Sequence, residues 1–492
     1  MMSEPKRLHP AAVILNLFHI IIQTIKNIIL PFFFVYIVNS NHFIRFYGGI
    51  ALLVLLIWLI AASVIEWRKF TYRIEDGEFR IEEGLFFTQK RYISIDRIQS
   101  MNTSAGIIQQ LFKLVKLQIE TAGEGKNAEA VLSAISLEEA ERIREAVFQQ
   151  KEKRKAEQEE HQEDAAEQEP TREEAVQSVY RMSLGELLTA ASTSGGIGVI
   201  ISAVFALISQ IDEVFPMDWL YDRFSFLKHA SIGIYAVIIF IGLFIAWLLS
   251  IAGMMIKHAN FQVEKKEHEL VISRGIIEKH QVTIPLRKIQ AIKIKENIVR
   301  QLFGYATVTI VSAGKSGNEK EGLQTILFPL IRKSKLAGML GEFTNDYVLE
   351  EKRHHLPRRA LRRYLFRSVI FSVFVMIPLC ILFKPWGYLS LFLLPAELVF
   401  GYAAFKDASW FLNGEKLQLT TRLIGKTTTI MLRRRMQMYE VSQSFLQKRK
   451  RLASVATAVK SASHMEHVML RDVTEEDAER IRSWYSYEKA DG

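Results

Sequence analysis

Hydrophobic positions along this chain fall into two patterns. The first is the long unbroken run, at residues 11–38, 48–65, 195–211, 230–256, 368–383 and 387–405. Each comes near the roughly 20 apolar residues that carry a helix across a hydrocarbon core. A buried core helix could account for a run as short as 368–383, but not for one as long as 230–256. Six spans in three pairs are expected. The second pattern alternates with period two: Phe70, Tyr72 and Ile74, then Phe79 and Ile81, then Ile93 and Ile95 opposite Tyr92, Ser94 and Asp96, then Leu117 and Ile119. That is strand patterning. A helical stretch at 137–148 closes the block, introduced by Ser136 with Glu139 three residues on, which reads as a capping box. Thr474 with Asp477, ahead of Ala478 and Ile481, is a weaker version near the carboxyl terminus. Each polar block is therefore expected to hold six or seven short strands and one carboxyl-terminal helix.

The polar blocks are copies of one another. A shift of 191 positions superposes Gly84 on Gly275, Ile98-Gln99 on Ile289-Gln290, Gln110-Leu111-Phe112 on Gln301-Leu302-Phe303, and Ala122-Gly123 on Ala313-Gly314. A shift of 338 brings in a third copy more weakly, with Phe79 on Leu417, Ile81 on Leu419, Arg97 on Arg435 and Gln99 on Gln437. Gly84 falls between two strand runs, where a turn or bulge favours a residue that tolerates positive φ. The third copy has Arg422 at that position and Lys448-Arg449-Lys450 in place of the Gln-Leu-Phe triplet.

A helical pair, then a β-block with a glycine, an Ile-Gln after a basic residue and a Gln-Leu-Phe before a strand ending in Ala-Gly: this combination resembles the bacterial pleckstrin-homology-like membrane proteins. The triple arrangement is similar to their YdbT type, over essentially the whole chain. The resemblance implies partly open β-barrels, each plugged at one end by a helix, a bacterial plasma-membrane location and no established catalysis. The fold class expected is a mixed α and β membrane protein: six transmembrane helices in three hairpins, each hairpin followed by a cytosolic PH-like barrel or sandwich with a C-terminal helix. The boundaries read as a first hairpin at 1–66, PH-like domain 1 at 67–150 and a charged linker at 151–180. A second hairpin follows at 181–256 and domain 2 at 257–347. A basic segment with the third hairpin spans 348–405, and domain 3 runs over 406–492.

Charge adds an orientation. Lys6 and Arg7 precede the first run, and Arg68, Lys69 and Arg73 follow the second, whereas the loop between holds only Arg45. Lys257, Lys265 and Lys266 follow the second pair, while Asp212, Glu213, Asp218 and Asp222 dominate its connector. Seven cations from Lys352 to Arg367 crowd the approach to the fifth run, and only Lys384-Pro385-Trp386 joins it to the sixth. Cytoplasmic loops carry the excess of Lys and Arg, so both termini and all three polar blocks are expected in the cytosol. The whole chain is formally +10, although residues 151–175 hold five basic and ten acidic residues and read as a solvated helical or disordered linker. Cys380 is the only cysteine. No intramolecular disulfide can form, which suits cytosolic soluble parts. The first run is too long for a signal-peptide core and reads as a retained anchor.

Candidate chemistry is sparse. Gly314-Lys315-Ser316 and Gly425-Lys426-Thr427 resemble the end of a phosphate-binding loop, but Thr309 and Thr420 stand where its first glycine belongs. His464 and His467 flank Glu466 without further ligands at metal spacing. No Ser or Cys has a nucleophile context, and neither an enzyme activity nor a cofactor or metal is expected. Asn16, His19, Gln23, Lys26 and Asn27 mark one helical face of the first run, and Glu397 is the lone acid of the sixth. Such a stripe belongs inside a bundle or a wet cavity, and Lys26 and Glu397 lie at similar depth, which permits pairing. Arg358, Arg359, Arg362 and Arg363, then Arg433, Arg434 and Arg435, then Lys448, Arg449 and Lys450 are candidate contacts for anionic lipid or a partner, since headgroups attract nearby cations by about 1 kcal/mol each. The leading expectation is a non-enzymatic membrane scaffold, in envelope homeostasis or resistance to membrane-active agents. Its partners would be membrane lipids and a protein, such as a smaller PH-like membrane protein of the same family, and no nucleic acid. The alternative is a transporter or exporter component using the polar face of the first span.

Overall fold

Gly84 sits at φ +129°, and a Cβ built there would lie 2.0 Å from the Phe87 carbonyl oxygen, so the strand turn predicted at this glycine admits no side chain. In the structure, a computed structural model, residues 4–24, 42–84, 87–121, 130–159, 176–193, 202, 232–313, 324–384, 386–461 and 465–486 are described. The chain divides into two units. The first holds Met1–Glu174 with Ile277–Thr283 and Gly317–Glu319, and the second holds the rest.

In the first unit, α1 (Ala11–Thr24) and α2 (His42–Lys69) precede two three-stranded meanders. β1 (Thr71–Glu75), β2 (Glu78–Glu83) and β3 (Gln89–Ser94) form one antiparallel sheet. Ile74 pairs with Phe79 and Glu75 with Glu78. The two residues between, Asp76 and Gly77, both take positive φ (52° and 78°), as the hairpin turn that matches strand twist requires. A 3₁₀ corner at Ile95–Arg97 then turns the chain into β4 (Ile98–Ala105), the one-turn helix α3 (Ile107–Leu111), β5 (Leu114–Thr121) and β6 (Ala130–Ser136). Phe79, Ile81, Ile95, Leu117, Ile119 and Leu132 fill the core between the meanders. α4 (Leu137–Glu159) closes it by burying Ala140, Ile143 and Val147 along one face. The helix runs eleven residues past the predicted stretch, through a segment of strong helix formers.

Ser136 caps α4 by accepting the Glu139 amide at 3.1 Å. The predicted box is only half closed, because the Glu139 carboxylate turns to Lys6 (2.8 Å) and the Tyr72 hydroxyl (3.4 Å). Lys6 also bridges Tyr72 through the backbone, and the Trp67 indole donates to the Leu8 carbonyl at 2.8 Å. The segment before the first apolar run is thus bound to the domain after the second. Also in this unit, Lys279, His280 and Gln281 pair antiparallel with Ala105, Ser104 and Thr103.

The second and third repeats follow the same scheme. β7 (Ser178–Arg181) and α5 (Leu184–Ser192) come before α6 (Ile232–His258). β8 (Gln262–Lys265), β9 (Glu269–Arg274), β10 (Lys279–Pro285), β11 (Ile289–Glu296), α7 (Ile298–Leu302), β12 (Tyr305–Ser312), β13 (Gln324–Arg332) and the closing helix α8 (Lys333–Thr344) follow. The third repeat has β14 (His354–His355), α9 (Leu361–Leu382), α10 (Leu393–Asp407), β15 (Ser409–Asn413), β16 (Lys416–Arg422), β17 (Lys426–Leu432), β18 (Met436–Ser442), α11 (Phe445–Lys448), β19 (Leu452–Lys460), β20 (Met465–Thr474) and α12 (Glu475–Tyr485). Thr474 caps α12 by accepting the Asp477 amide, as its spacing predicts. β7 pairs with β8 from Ser178↔Lys265 to Arg181↔Gln262, and β14 with β15 at His354↔Trp410 and His355↔Ser409.

Among the described residues, four helices are long and apolar enough to cross a membrane: Gly49–Lys69, Phe240–His258, Arg358–Leu382 and Gly387–Asp407. α1 covers the start of the run at 11–38, whose remainder from 25 lies outside the described residues, as does the run at 195–211 apart from Ser202. The run at 387–405 starts differently from the expectation of one α-helix. Trp386–Phe392 is a 3₁₀ helix, and α10 begins only at Leu393. Gly387 sets this turn: its amide donates to Phe383 at 2.7 Å, and a Cβ there would sit 2.1 Å from the Leu379 carbonyl oxygen. α9 and α10 then pack closely where Gly401 meets Ser368, as small residues allow between helices in lipid.

Repeats two and three share a sheet. β11 pairs with β17 through six residue pairs, from Ala291↔Met431 to Glu296↔Lys426, giving the order β13-β12-β11-β17-β16-β15-β14. Ala291 and Val311 of the second repeat enter the core of the third.

Candidate lipid interface

In the third repeat the loop after β18 is one helical turn, α11, with a complete capping box. Ser444 Oγ accepts the Gln447 amide (3.3 Å), and Gln447 Oε1 accepts the Ser444 amide (2.9 Å). Gln447 is buried and donates to Ser454 Oγ (2.7 Å) and Asp472 Oδ1 (2.9 Å). Asp472 is 0% exposed and held at φ 62°. A carboxyl group so enclosed needs hydrogen-bonding or charged partners. Arg363 Nε (2.6 Å) and Arg367 Nη2 (2.5 Å) supply them from the first two turns of α9. The Tyr364 hydroxyl on the Arg471 carbonyl and Arg359 Nη2 on the Arg451 carbonyl, both 3.1 Å, add to the clasp.

Fixed this way, α11 turns its other side chains outward. Phe445 and Leu446 are 70% and 61% exposed, and the Arg449 guanidinium lies 4.5 Å from the Phe445 ring centroid. Lys448, Arg449, Lys450 and Arg451 are exposed beside them, as are Arg358 and Arg362 across the Arg359 contact. The result is an apolar knuckle ringed by cations at the start of a helix apolar enough to span a membrane.

A like apolar knuckle stands in the other repeats with fewer cations: Lys113 is exposed beside it in the first, and Arg300 is buried in the second. Leu111 on α3 is 77% exposed and Leu302 on α7 is 80% exposed, with Phe112 and Phe303 next to them also exposed. The triplet therefore has divided roles. Gln110 and Gln301 each fold back on the preceding strand, donating to Ala105 O (3.0 Å) and Glu296 O (2.9 Å), and the Leu-Phe pair faces out. In the second repeat Arg300 is buried, donating at 3.1 Å to Ala190 O, Thr193 Oγ1 and Pro329 O, so it finishes the carboxyl end of α5. Burial lowers its pKa.

Several of the candidate cations also make contacts within the protein. Arg363 belongs to Asp472. Arg434 reaches Asp346 at 2.6 Å, Arg435 donates to the Arg287 carbonyl, and Arg433 lies over the Trp484 ring. Arg434 and Arg435 of this corner fasten repeat three to repeat two, while Arg433 stays within repeat three. Arg422, which replaces the glycine of the other copies, donates to Asp407 at the end of α10 and to Gln301 Oε1. Burial pushes the Lys426 pKa down beside them, against the pull of Glu296 and Asp407. Gly425-Lys426-Thr427 runs straight into β17 and forms no phosphate cradle. Glu466 pairs with the buried Lys293, and among the described residues no group of three or more His, Cys, Asp or Glu is placed to hold a metal. Asn16, His19 and Gln23 share α1, while Lys26 and Asn27 lie outside the described residues. Glu397 is half-buried on α10. Phe445, Leu446 and Asp472 escaped sequence reasoning. Their signal was the Ser444/Gln447 cap around an apolar pair just ahead of a basic run.

The comparisons now decide the family. The family described as Bacterial PH domain matches residues 12–151, 203–342 and 367–489. This chain belongs to it. Each stretch of the bacterial PH domain family takes in apolar helix and the β-block behind it. The chain is similar to the UPF0699 transmembrane protein YdbT of Bacillus subtilis (strain 168), 72% identical over 495 residues and covering 100% of both chains. No solved structure matches this bacterial PH domain chain.

Proposed function

We propose that this bacterial PH domain protein is a non-enzymatic, multi-pass scaffold of the plasma membrane whose three domains face the inner leaflet and bind anionic lipid or protein partners there, the third domain holding anionic lipid. The α11 knuckle carries the reading: exposed Phe445 and Leu446 among exposed cations, fixed by Asp472 to the start of α9. Apolar side chains enter the headgroup boundary and cations hold anionic headgroups beside it. Strand pairing supports the three-hairpin arrangement. Lys6↔Tyr72, β7 with β8, and β14 with β15 each join the chain before a pair of apolar runs to the chain after it. Both ends of each pair then emerge on the same domain, as an even number of crossings requires. The positive flanks favour the cytosol as the domain side.

The test uses the full chain in nanodiscs, with Cys380→Ser and a polarity-sensitive fluorophore on Phe445→Cys. Emission should shift to the blue in phosphatidylglycerol relative to phosphatidylcholine. Neutralising Lys448, Arg449 and Lys450 to Gln, or raising the salt, should reduce that shift. Equal spectra in both lipids would refute the lipid reading.

A further inference from the structure

The join between repeats two and three follows a pattern that, among the described residues, strands β3 and β18 leave unfinished. β11, the strand after the corner of one repeat, takes as its neighbour β17, the strand before the corner of the next. In the third repeat the strand after the corner is β18, the outer strand of a three-stranded sheet with β19 and β20. Residues 289–294 of β11 are buried, whereas no residue of β18 after Met436 is. The first-repeat counterpart of β17 is β3, the outer strand of the sheet β1-β2-β3, with Gln89 to Tyr92 exposed. One half-sheet lacks the kind of strand that the other presents.

We propose that β18 of one copy pairs antiparallel with β3 of another, so that copies of this chain associate head to tail in the plane of the membrane. The occupant follows from the join already present and from charge. Carrying the β11–β17 register over by the repeat shifts gives Met438↔Ile93, Tyr439↔Tyr92, Glu440↔Arg91 and Val441↔Lys90. Glu440, the only charged residue of β18, then stands opposite one of the two cations of β3, and two tyrosines stand opposite each other. Pairing β18 with β18 would bring acid to acid, and β3 with β3 cation to cation, so charge selects head-to-tail joining. Lys90 and Arg91 now lean on Glu82 and Glu83 of β2, with both cations about half exposed and able to share a second partner. Exposed edges of this length are normally blunted or covered, and strand addition covers them. A join between two different surfaces closes into a ring or continues as a filament.

The inference rests on the reading that places all three domains on one membrane face, and crosslinking tests it separately from orientation. In Cys380→Ser chains, Arg91→Cys and Glu440→Cys are placed together or on separate chains, and an oxidant is applied both in native membranes and in detergent. The double variant should give a ladder of dimers, trimers and larger species. A mixture of the two single variants should stop at dimers, and neither alone should crosslink. A ladder in detergent alone would fault the shared face and leave the edge pairing standing. With Val441→Cys and Lys90→Cys as the reporter pair, Glu440→Arg should cut the ladder at least several-fold, and adding Arg91→Glu should restore it. No ladder in either medium, a crosslink confined to a single copy, self-crosslinking of Glu440→Cys, or a product with a different protein in place of the ladder would overturn the proposal.

Discussion

The Asp472 clasp makes an asymmetric prediction. Asp472 is completely enclosed, while its partners Arg363 and Arg367 keep 24% and 33% of their side chains exposed. Replacing both arginines with Met leaves a carboxylate in the core with only the Gln447 amide for company. Breaking a buried pair from this side costs about 3–5 kcal/mol. Asp472→Asn leaves the arginines able to turn toward water or headgroups, and Asn keeps an acceptor for Gln447, so its cost is about 1–3 kcal/mol, near that of an unmade hydrogen bond. The triple variant should recover part of the loss, because no charge is then stranded. Unfolding of the third domain in detergent can be followed through the fluorescence of Trp410, which is fully buried in its core. At about 4–8 °C per kcal/mol for a domain of this size, the arginine pair should lower the midpoint by at least roughly 10 °C. If Asp472→Asn lowers it as far as the double arginine variant, or the triple variant is the worst of the set, the clasp does not hold α11 as described.

Two further predictions concern the membrane part. Gly401→Val should destabilise the α9–α10 contact by about 1–3 kcal/mol, because the added Cβ would lie 2.4 Å from Ser368 Oγ. Ser368→Gly should recover most of that loss in a thermal-shift assay, and failure to do so would show that the crossing is looser than the structure has it. Cysteines at Asp218 and Trp386 of a Cys380→Ser chain should react with an impermeant thiol reagent applied to intact cells, whereas one at Glu415 should stay silent. Labelling at Glu415 would contradict the even crossing of the third pair.

Much of the first-repeat strand pattern was legible because β2 is half-buried, so Phe79 and Ile81 alternate with polar neighbours as a two-faced strand must, whereas in the third repeat Gln418 and Thr420 alternate with Leu417 and Leu419 in sequence but are buried with them. The glycine at position 84 was legible for a related reason, since a turn that excludes Cβ leaves its mark on residue type. What stayed hidden was tertiary. Ile292 and Ile294 alternate with Lys293 and Lys295 as though one face of β11 met water, yet Lys293 is buried against Glu466, on a strand more than 170 residues away. A strand edge carries no label for its neighbour, so the β11–β17 pairing had no local signature. Charge runs gave the sign of a surface without its contacts. Arg434 and Arg435 are taken up by the repeat join, and the run from Lys448 to Lys450 is not. Asp472, inside an apolar strand pattern, revealed its role only through the arginines that reach it.

Arg422 has a mechanical consequence. Its guanidinium is gripped by Asp407, the last residue of α10, and by Gln301 in the second repeat, while β16 carries its backbone. These three elements form a linkage with the arginine as its pin. The end of α10 and the loop that carries Leu302 and Phe303 are therefore tied through one side chain, so neither can shift without moving Arg422 or giving up a charged hydrogen bond to it.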